Sequence, residues 1–497
     1  MNDTPSFHPH IKHHDLGNRL VKGVGWTGLG QLIRLAAAAA ALVVISRFVS
    51  PAQVGLATMA LVILGVSNGI AALGPAQAIV QRAEITERHV QAAFQLSLLA
   101  GFVIAILVII FANAFAIFFR NPYVADVLRV SALGVIIAVL PASQLGLLQR
   151  TMRFREYAFV TSGGAVLAAM SAIMLAVLGF GIWAVIVSQL FVGAFTFLLS
   201  LLFVPWPGTL RLRIREMKEL FAFGANTSAN VVTAYIAQNL PNFFVGRFLD
   251  AHTLGYYSMS FRTNELSFKQ LQNAFTATML PAVATFQTVP DRLRAIFVRS
   301  TRAGILFTSP PLLVLTVASR PLVEIMWGPE WLPAASILWR LCIAQIVLSV
   351  GMNVGTMFQA IGKPEFGWMW NLFCMVFFVP AYYYSSRFGA VGIASATALV
   401  APILTIMQII WVRHVLGLTA HDIWKMLWTP ILVITASCVA ALIARESLHA
   451  AGVGQILMLV ATVGAGAAVY LLLVYFIDPD VQSYAQRVVL KRFQADA

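Results

Sequence analysis

The chain has 497 residues, of which 60% are AVILMFWYC and only 10% are charged, and its mean hydropathy is +0.83. A soluble domain carries roughly a quarter charged residues, so a water-covered globule is excluded and an all-α polytopic membrane protein is expected. The formal charge of +14 is scattered through short loops with no continuous basic face, which excludes a nucleic-acid platform and suits loops lying against anionic lipid.

Residues 1–23 are polar and lack an apolar core segment, so they read as a cytoplasmic tail and not as a cleaved signal peptide. His8, His10, His13 and His14 lie close together there. No Cys or carboxylate cluster accompanies them, so neither a metal site nor a cofactor is expected. A spanning helix needs about 20 mostly apolar residues. About fourteen such segments follow, near 24–45, 54–73, 90–118, 124–147, 158–179, 182–205, 225–248, 255–287, 296–318, 334–360, 366–386, 390–412, 427–444 and 453–477. Spans 1–6 form an N-terminal lobe over 24–205. An amphipathic cytoplasmic linker covers 206–224, with RLRIREMKELFA at its centre. Spans 7–12 form a C-terminal lobe over 225–415, spans 13–14 cover 416–480, and 481–497 is a second cytoplasmic tail. With the N-terminus inside, 22 Lys and Arg fall in inside loops against 7 outside, a clear positive-inside bias. Both termini are then cytoplasmic.

Two stretches read alike at a separation of 200. Residues 46–61 are SRFVSPAQVGLATMAL and residues 246–261 are GRFLDAHTLGYYSMSF. Arg47/Arg247, Phe48/Phe248, Gly55/Gly255 and Met59/Met259 are identical, and Val54/Leu254 are conservative. A second pair, GPAQAIVQ at 74–81 and LPAVATFQ at 280–287, follows at an offset of 206. The match relates span 1–2 to span 7–8, an even offset, so two six-helix lobes repeat in parallel and spans 13 and 14 lie outside the duplication. In such proteins the substrate site lies between the repeats.

The growth in offset places about six extra residues in span 8, within the polar stretch 262–279. Arg262, Glu265 and Lys269 recur there at i, i+3 and i+7, one helical face. Arg262 and Glu265 are spaced to pair, which leaves Lys269 as a cation for a ligand. Arg34 in span 1 and Arg340 in span 10 are the other intramembrane cations. A charge at that depth costs several kcal/mol against lipid and usually faces a bundle interior or wet cavity. A net-cationic cavity suits a phosphate or diphosphate, which Arg grips bidentately and Lys as a point charge. Structural pairing and snorkelling are the competing explanations. Asn226, Asn230, Gln238 and Asn239 in span 7 are candidates for glycan contacts, although helix-to-helix hydrogen bonds are the commoner use. Cys342, Cys374 and Cys438 sit in apolar runs with no disulfide or zinc spacing. Without a nucleophile elbow, P-loop or HExxH helix, and without a long loop, the chain is not expected to be an enzyme.

SRFVSPAQVGLATMALVI, ALGPAQAIVQRAEIT and LLQRTMRFREYA in the first half, with GRFLDAHTLGYYSMSFRTNEL, MLPAVATFQ and GTMFQAIGKPEF in the second, resemble the Wzx-type oligosaccharide flippases. These are the polysaccharide transporter branch of the multidrug/oligosaccharidyl-lipid/polysaccharide exporter superfamily. The likeness covers about residues 17–480. It implies two six-helix lobes around a central cationic cavity, with helices 13 and 14 added. It also implies transfer of an undecaprenyl-diphosphate-linked oligosaccharide from the cytoplasmic to the periplasmic leaflet by alternating access. The pathway would be exopolysaccharide, capsule or O-antigen synthesis. The bacterial inner membrane, membrane lipids, and a polysaccharide polymerase and export machinery as partners are implied likewise. In related lipid II flippases an Arg in span 1 and an Arg early in span 8 are important, and Arg34 and Arg262 fall at matching places. The Asp that accompanies the first of these is missing here. A cation-coupled drug exporter of the same superfamily would favour acidic groups in its cavity, and a membrane glycan polymerase or ligase would carry a large periplasmic loop.

Overall fold

The computed structural model describes residues 13–71, 78–80, 82, 85–206, 211–285, 290–360 and 365–478. In the N-terminal part the helices are α1 (His13–Phe48), α2 (Pro51–Ala71), α3 (Glu87–Phe119), α4 (Tyr123–Val139), α5 (Ala142–Arg150), α6 (Phe154–Val177) and α7 (Ile182–Ser200). After them come α8 (Ile214–Phe248), α9 (Ala251–Thr285), α10 (Pro290–Val317), α11 (Ser319–Met326), α12 (Leu332–Leu348) and α13 (Val354–Ala360). The last four are α14 (Glu365–Ser385), α15 (Gly389–Leu416), α16 (Ala420–Ala450) and α17 (Gln455–Ile477). No strand occurs among the described residues.

Among the described residues, each of the fourteen expected spans overlaps a helix or a pair of helices. Ten stretches among the described residues are long and apolar enough to cross a membrane, one of them the 52-residue Glu365–Leu416 that contains both α14 and α15. A further helix pair, α10 and α11, passes the same test together and is bent by 78°, the geometry of a broken span or a re-entrant loop. The seventh and eighth spans, α8 and α9, are helices of 35 residues each with too many polar side chains to register as apolar. Residues 214–224 of the expected linker are the opening turns of α8, continuous with span 7.

Local chemistry explains the breaks. Pro51 opens α2, where a missing N–H is harmless. Arg120 ends α3 in the left-handed region at φ 54 and its N–H, with that of Asn121, closes on Ile117 and Ala116 carbonyls. Thr419 and Asp422 form a reciprocal capping box at the start of α16. Gly452, at φ +68 with open space around it, makes the turn into α17, a conformation that disfavours any side chain.

The chain packs as two compact units whose boundary is not the repeat boundary. The first comprises residues 1–259 and 367–390, the second 260–366 and 391–497. Within the first, α2 lies against α4, α8 and α3, and α1 packs along α6. Glycines explain the burial of α2. A Cβ on Gly65 would fall 1.9 Å from the Tyr235 hydroxyl, and one on Gly69 would touch Val232 at 3.3 Å. Tyr235 also donates to the Leu61 carbonyl at 3.3 Å. Glycine at 65 leaves the room that the Tyr235 side chain fills, and span 7 falls in the first unit. At one end of this unit Leu220, fully buried, packs with Ala78, Ile79, Ala92, Ala93 and Leu96.

In the second unit α16 and α17 pair with each other and lie on α10. Three contacts fasten them at three depths. Arg302 pairs with Asp478 at 3.1 Å. The Tyr470 hydroxyl donates to the Leu306 carbonyl at 2.6 Å and meets Ser309 at 3.0 Å. Arg445 donates to the Val317 carbonyl at 3.3 Å.

Candidate functional site

Arg34 belongs to the first unit; Arg262, Lys269 and Arg340 belong to the second. Arg34 projects from α1 onto α6. Its Nη1 donates to Thr161 Oγ1 at 2.7 Å and its Nη2 to Gln31 Oε1. One cation is therefore oriented by two neutral oxygens and keeps its charge uncompensated by either partner.

The α9 face departs from expectation in one pairing. Lys269 Nζ donates to Glu265 Oε1 at 2.7 Å, an i,i+4 ion pair, so Lys269 is not the leftover cation predicted above. The reason is reach: the long lysine stem covers one turn easily, and Glu placed N-terminal to Lys is the favourable order. Lys269 remains 48% exposed and Glu265 33%. Such a pair is weak and exchangeable, so Lys269 can turn to a stronger anion. Arg262 is half-buried one turn before Glu265. Arg340 folds back on its own helix, donating to the Ser336 carbonyl at 2.5 Å and lying 4.1 Å over the Trp339 ring.

Of the span 7 amides, Asn239 donates to the Tyr235 carbonyl of its own helix at 3.1 Å and accepts from Asn242 at 3.3 Å. Gln238 is exposed. The side chains of Asn226 and Asn230 lie outside the described residues, as does most of the His-bearing tail. Among the described residues no three His, Cys, Asp or Glu gather as metal ligands.

Sequence reasoning passed over Asn242 and Asn264, 3% and 4% exposed, each with an amide oxygen that has no hydrogen-bond partner. It also passed over Glu219 as the hub of a cluster at the end of the first unit where Leu220 is buried. Arg82 reaches Glu219 at 2.7 Å, Arg215 at 3.6 Å and His89 at 3.7 Å. The hydrogen bond from Arg82 is the main cause holding this carboxyl below its ordinary range. Gln95 adds a second tie, accepting from the Arg213 N–H at 3.0 Å and donating to the Arg211 carbonyl at 2.8 Å.

Residues 44–336 match the sequence profile of a family described as polysaccharide biosynthesis protein. The chain belongs to this family. Among curated relatives it is 25% identical over 429 residues to the lipopolysaccharide biosynthesis protein WzxC of Escherichia coli (strain K12), covering 84% of this chain and 85% of that one. It is 22% identical over 459 residues to the succinoglycan biosynthesis transport protein ExoT of Rhizobium meliloti (strain 1021), covering 92% of each. Among solved structures, the inward closed conformation of the lipid II flippase MurJ superposes with a TM-score of 0.73 at 14% identity, over 93% of this chain and 99% of that one. An inward-facing multidrug resistance MATE transporter of the MOP superfamily gives 0.60 at 18% identity, over 78% and 98%. The fold of this family member is thus the all-α polytopic fold of those transporters.

Proposed function

We propose that the protein is a flippase that moves an undecaprenyl-diphosphate-linked oligosaccharide from the cytoplasmic to the periplasmic leaflet of the bacterial inner membrane, for exopolysaccharide, capsule or O-antigen synthesis. The observation that carries this reading is full-length similarity to polysaccharide biosynthesis and transport proteins, combined with a fold shared with a lipid II flippase. The intramembrane cations give it a mechanism. Arg262 and Lys269 take the diphosphate, with Arg34 and Arg340 as further donors. Guanidinium and ammonium groups held in a poorly solvated cavity bind such an anion well. Glu265 holds Lys269 until the diphosphate displaces it, and polar side chains of α8 contact the sugars. The two repeats rock about the bound headgroup, and both termini stay cytoplasmic. No bond is made or broken, so the protein acts as a transporter, beside a polymerase and export machinery that use its product.

The test is deletion of the gene, with mass spectrometry of undecaprenyl-linked glycans and a leaflet-accessibility assay. A complete repeat unit trapped in the cytoplasmic leaflet is the expected result. Unchanged lipid-linked glycans would overturn the reading and favour drug export, and accumulation in the periplasmic leaflet would favour a polymerase or ligase.

A further inference from the structure

The two halves of the duplication touch at one place where every partner is a repeat mate. Gly55 in the first turns of α2 lies against the opening turn of α9: a Cβ on it would stand 1.7 Å from the Ala251 carbonyl oxygen and 2.9 Å from the Gly255 nitrogen. Gly255 lies reciprocally against α2: its Cβ would stand 1.9 Å from the Pro51 carbonyl oxygen. Positions 51 and 251, and 55 and 255, are mates at the offset of 200. The contact is therefore self-complementary, residue i on j and j on i, as about a two-fold axis. All four residues fall within the first compact unit.

The surroundings obey the same symmetry. Val54 and its mate Leu254 are 2% and 0% exposed; Met59 and its mate Met259 are 2% and 3%. Tyr257, two residues after Gly255, is fully buried. Buried apolar residues of both repeats thus flank the two glycines in sequence, and at the glycines themselves only backbone lies between the helices. Contacts of this kind are close but individually weak, since Cα–H···O interactions replace side-chain interdigitation. A seal so made can part without breaking a buried ion pair. It lies at the end of α2 opposite the Arg82–Glu219 cluster, which is the outer end if, as proposed, both termini are cytoplasmic.

We infer that Gly55 and Gly255 form a dry outer seal between the repeats, closed in this structure and opened once in every transport cycle. The inference rests on the transport reading for its role in a cycle, but not for the existence of the seal. Other residues cannot serve at these positions. Relieving a 1.7 Å approach to ordinary contact requires the helices to move apart by more than 1 Å.

Ser258 tests this. It lies one turn inside Gly255, is 1% exposed, and donates to the Gly255 carbonyl, so Ser258→Cys is nearly isosteric. In a background without Cys342, Cys374 and Cys438, a membrane-impermeant maleimide added from outside is expected to label this cysteine slowly. Adding Gly55→Ala and Gly255→Ala is expected to speed labelling at least tenfold. Gly464→Ala, with nothing within 4 Å of its Cβ, is the control and leaves the rate unchanged. Equal rates in the folded double variant overturn the seal, and labelling only from the inner side overturns its outward assignment. Should the double variant not fold, Ser258→Cys alone is labelled in cells making or lacking the lipid-linked glycan, with export measured in the same cells. Severalfold faster labelling with glycan present supports the gate. Equal labelling while export proceeds overturns it, and lost export dependence on the gene overturns the transport reading instead.

Discussion

Replacing Lys269 by Ala separates binding from folding. The Lys269–Glu265 pair has good length, 2.7 Å, but its side chains are 48% and 33% exposed. Exposed i,i+4 pairs contribute about 0.3–0.5 kcal/mol, so the substitution leaves the amount of folded protein nearly unchanged. A hydrogen bond to a charged group is worth about 1.5–3 kcal/mol. If Lys269 holds a diphosphate oxygen, its loss weakens substrate binding by about 10- to 150-fold, at about 1.4 kcal/mol per factor of ten. The assay is export of polymer per unit of membrane-inserted protein, with binding of a polyprenyl diphosphate to purified protein in detergent. Lys269→Arg is expected to retain most export, because charge and reach survive. Glu265→Gln is expected to bind diphosphate at least as tightly as the parent, because the competing carboxylate is gone. Wild-type export and binding in Lys269→Ala would refute the reasoning. So would an equal loss in Glu265→Gln, which would make the pair a structural one.

Asp422 accepts from the Thr419 N–H at 2.8 Å and from Arg294 Nε at 2.7 Å; burial alone would raise its carboxyl, but the Thr419 and Arg294 hydrogen bonds outweigh it and bring it to about 2. A lowered carboxylate contributes stability that is present above the unfolded value of about 3.9 and is lost as pH falls through the folded value. Asp422→Asn is therefore expected to melt lower than the parent at pH 5–8, by the about 0.5–2 kcal/mol of a lost cap, and to converge with it as pH approaches 2. Tyr470→Phe removes a buried hydroxyl that bonds Leu306 and Ser309; about 1 kcal/mol of stability should disappear, read as a lower melting temperature in detergent. Gly452→Ala meets no neighbour but places a side chain at φ +68, and a loss of about 1 kcal/mol with export retained is expected in the same assay. Glu219→Gln should leave α8 looser at its inner end, visible as faster tryptic cleavage at Arg211, Arg213 or Arg215.

The span pattern was readable because apolar runs of twenty residues and their Gly and Pro breaks are one-dimensional facts. The count of apolar segments also took in spans 7 and 8, although α8 and α9 carry many polar side chains, and the repeat then tied them to spans 1 and 2. The partner of Glu265 was not readable: Arg262 and Lys269 are both within a turn of it, and side-chain reach decides. Arg340 was read as a cavity cation, and its stacking on the adjacent Trp339 could have been suspected from the WR pair itself. The extension of the first packing unit to residue 259 was hidden altogether. It depends on Gly55 of α2 meeting the α9 backbone and Gly65 and Gly69 meeting side chains of α8, and a glycine in a sequence does not say what will fill the space beside it.

The hairpin of α16 and α17 lies outside the duplication, and its ties at Asp478, Tyr470 and Arg445 hold it to α10 between Arg302 and Val317. A duplicated carrier without such an addition would present two equivalent approaches to lipids diffusing around it. On the transport reading proposed above, a lipid approaching this half in the plane of the bilayer would meet two helices that the other half lacks.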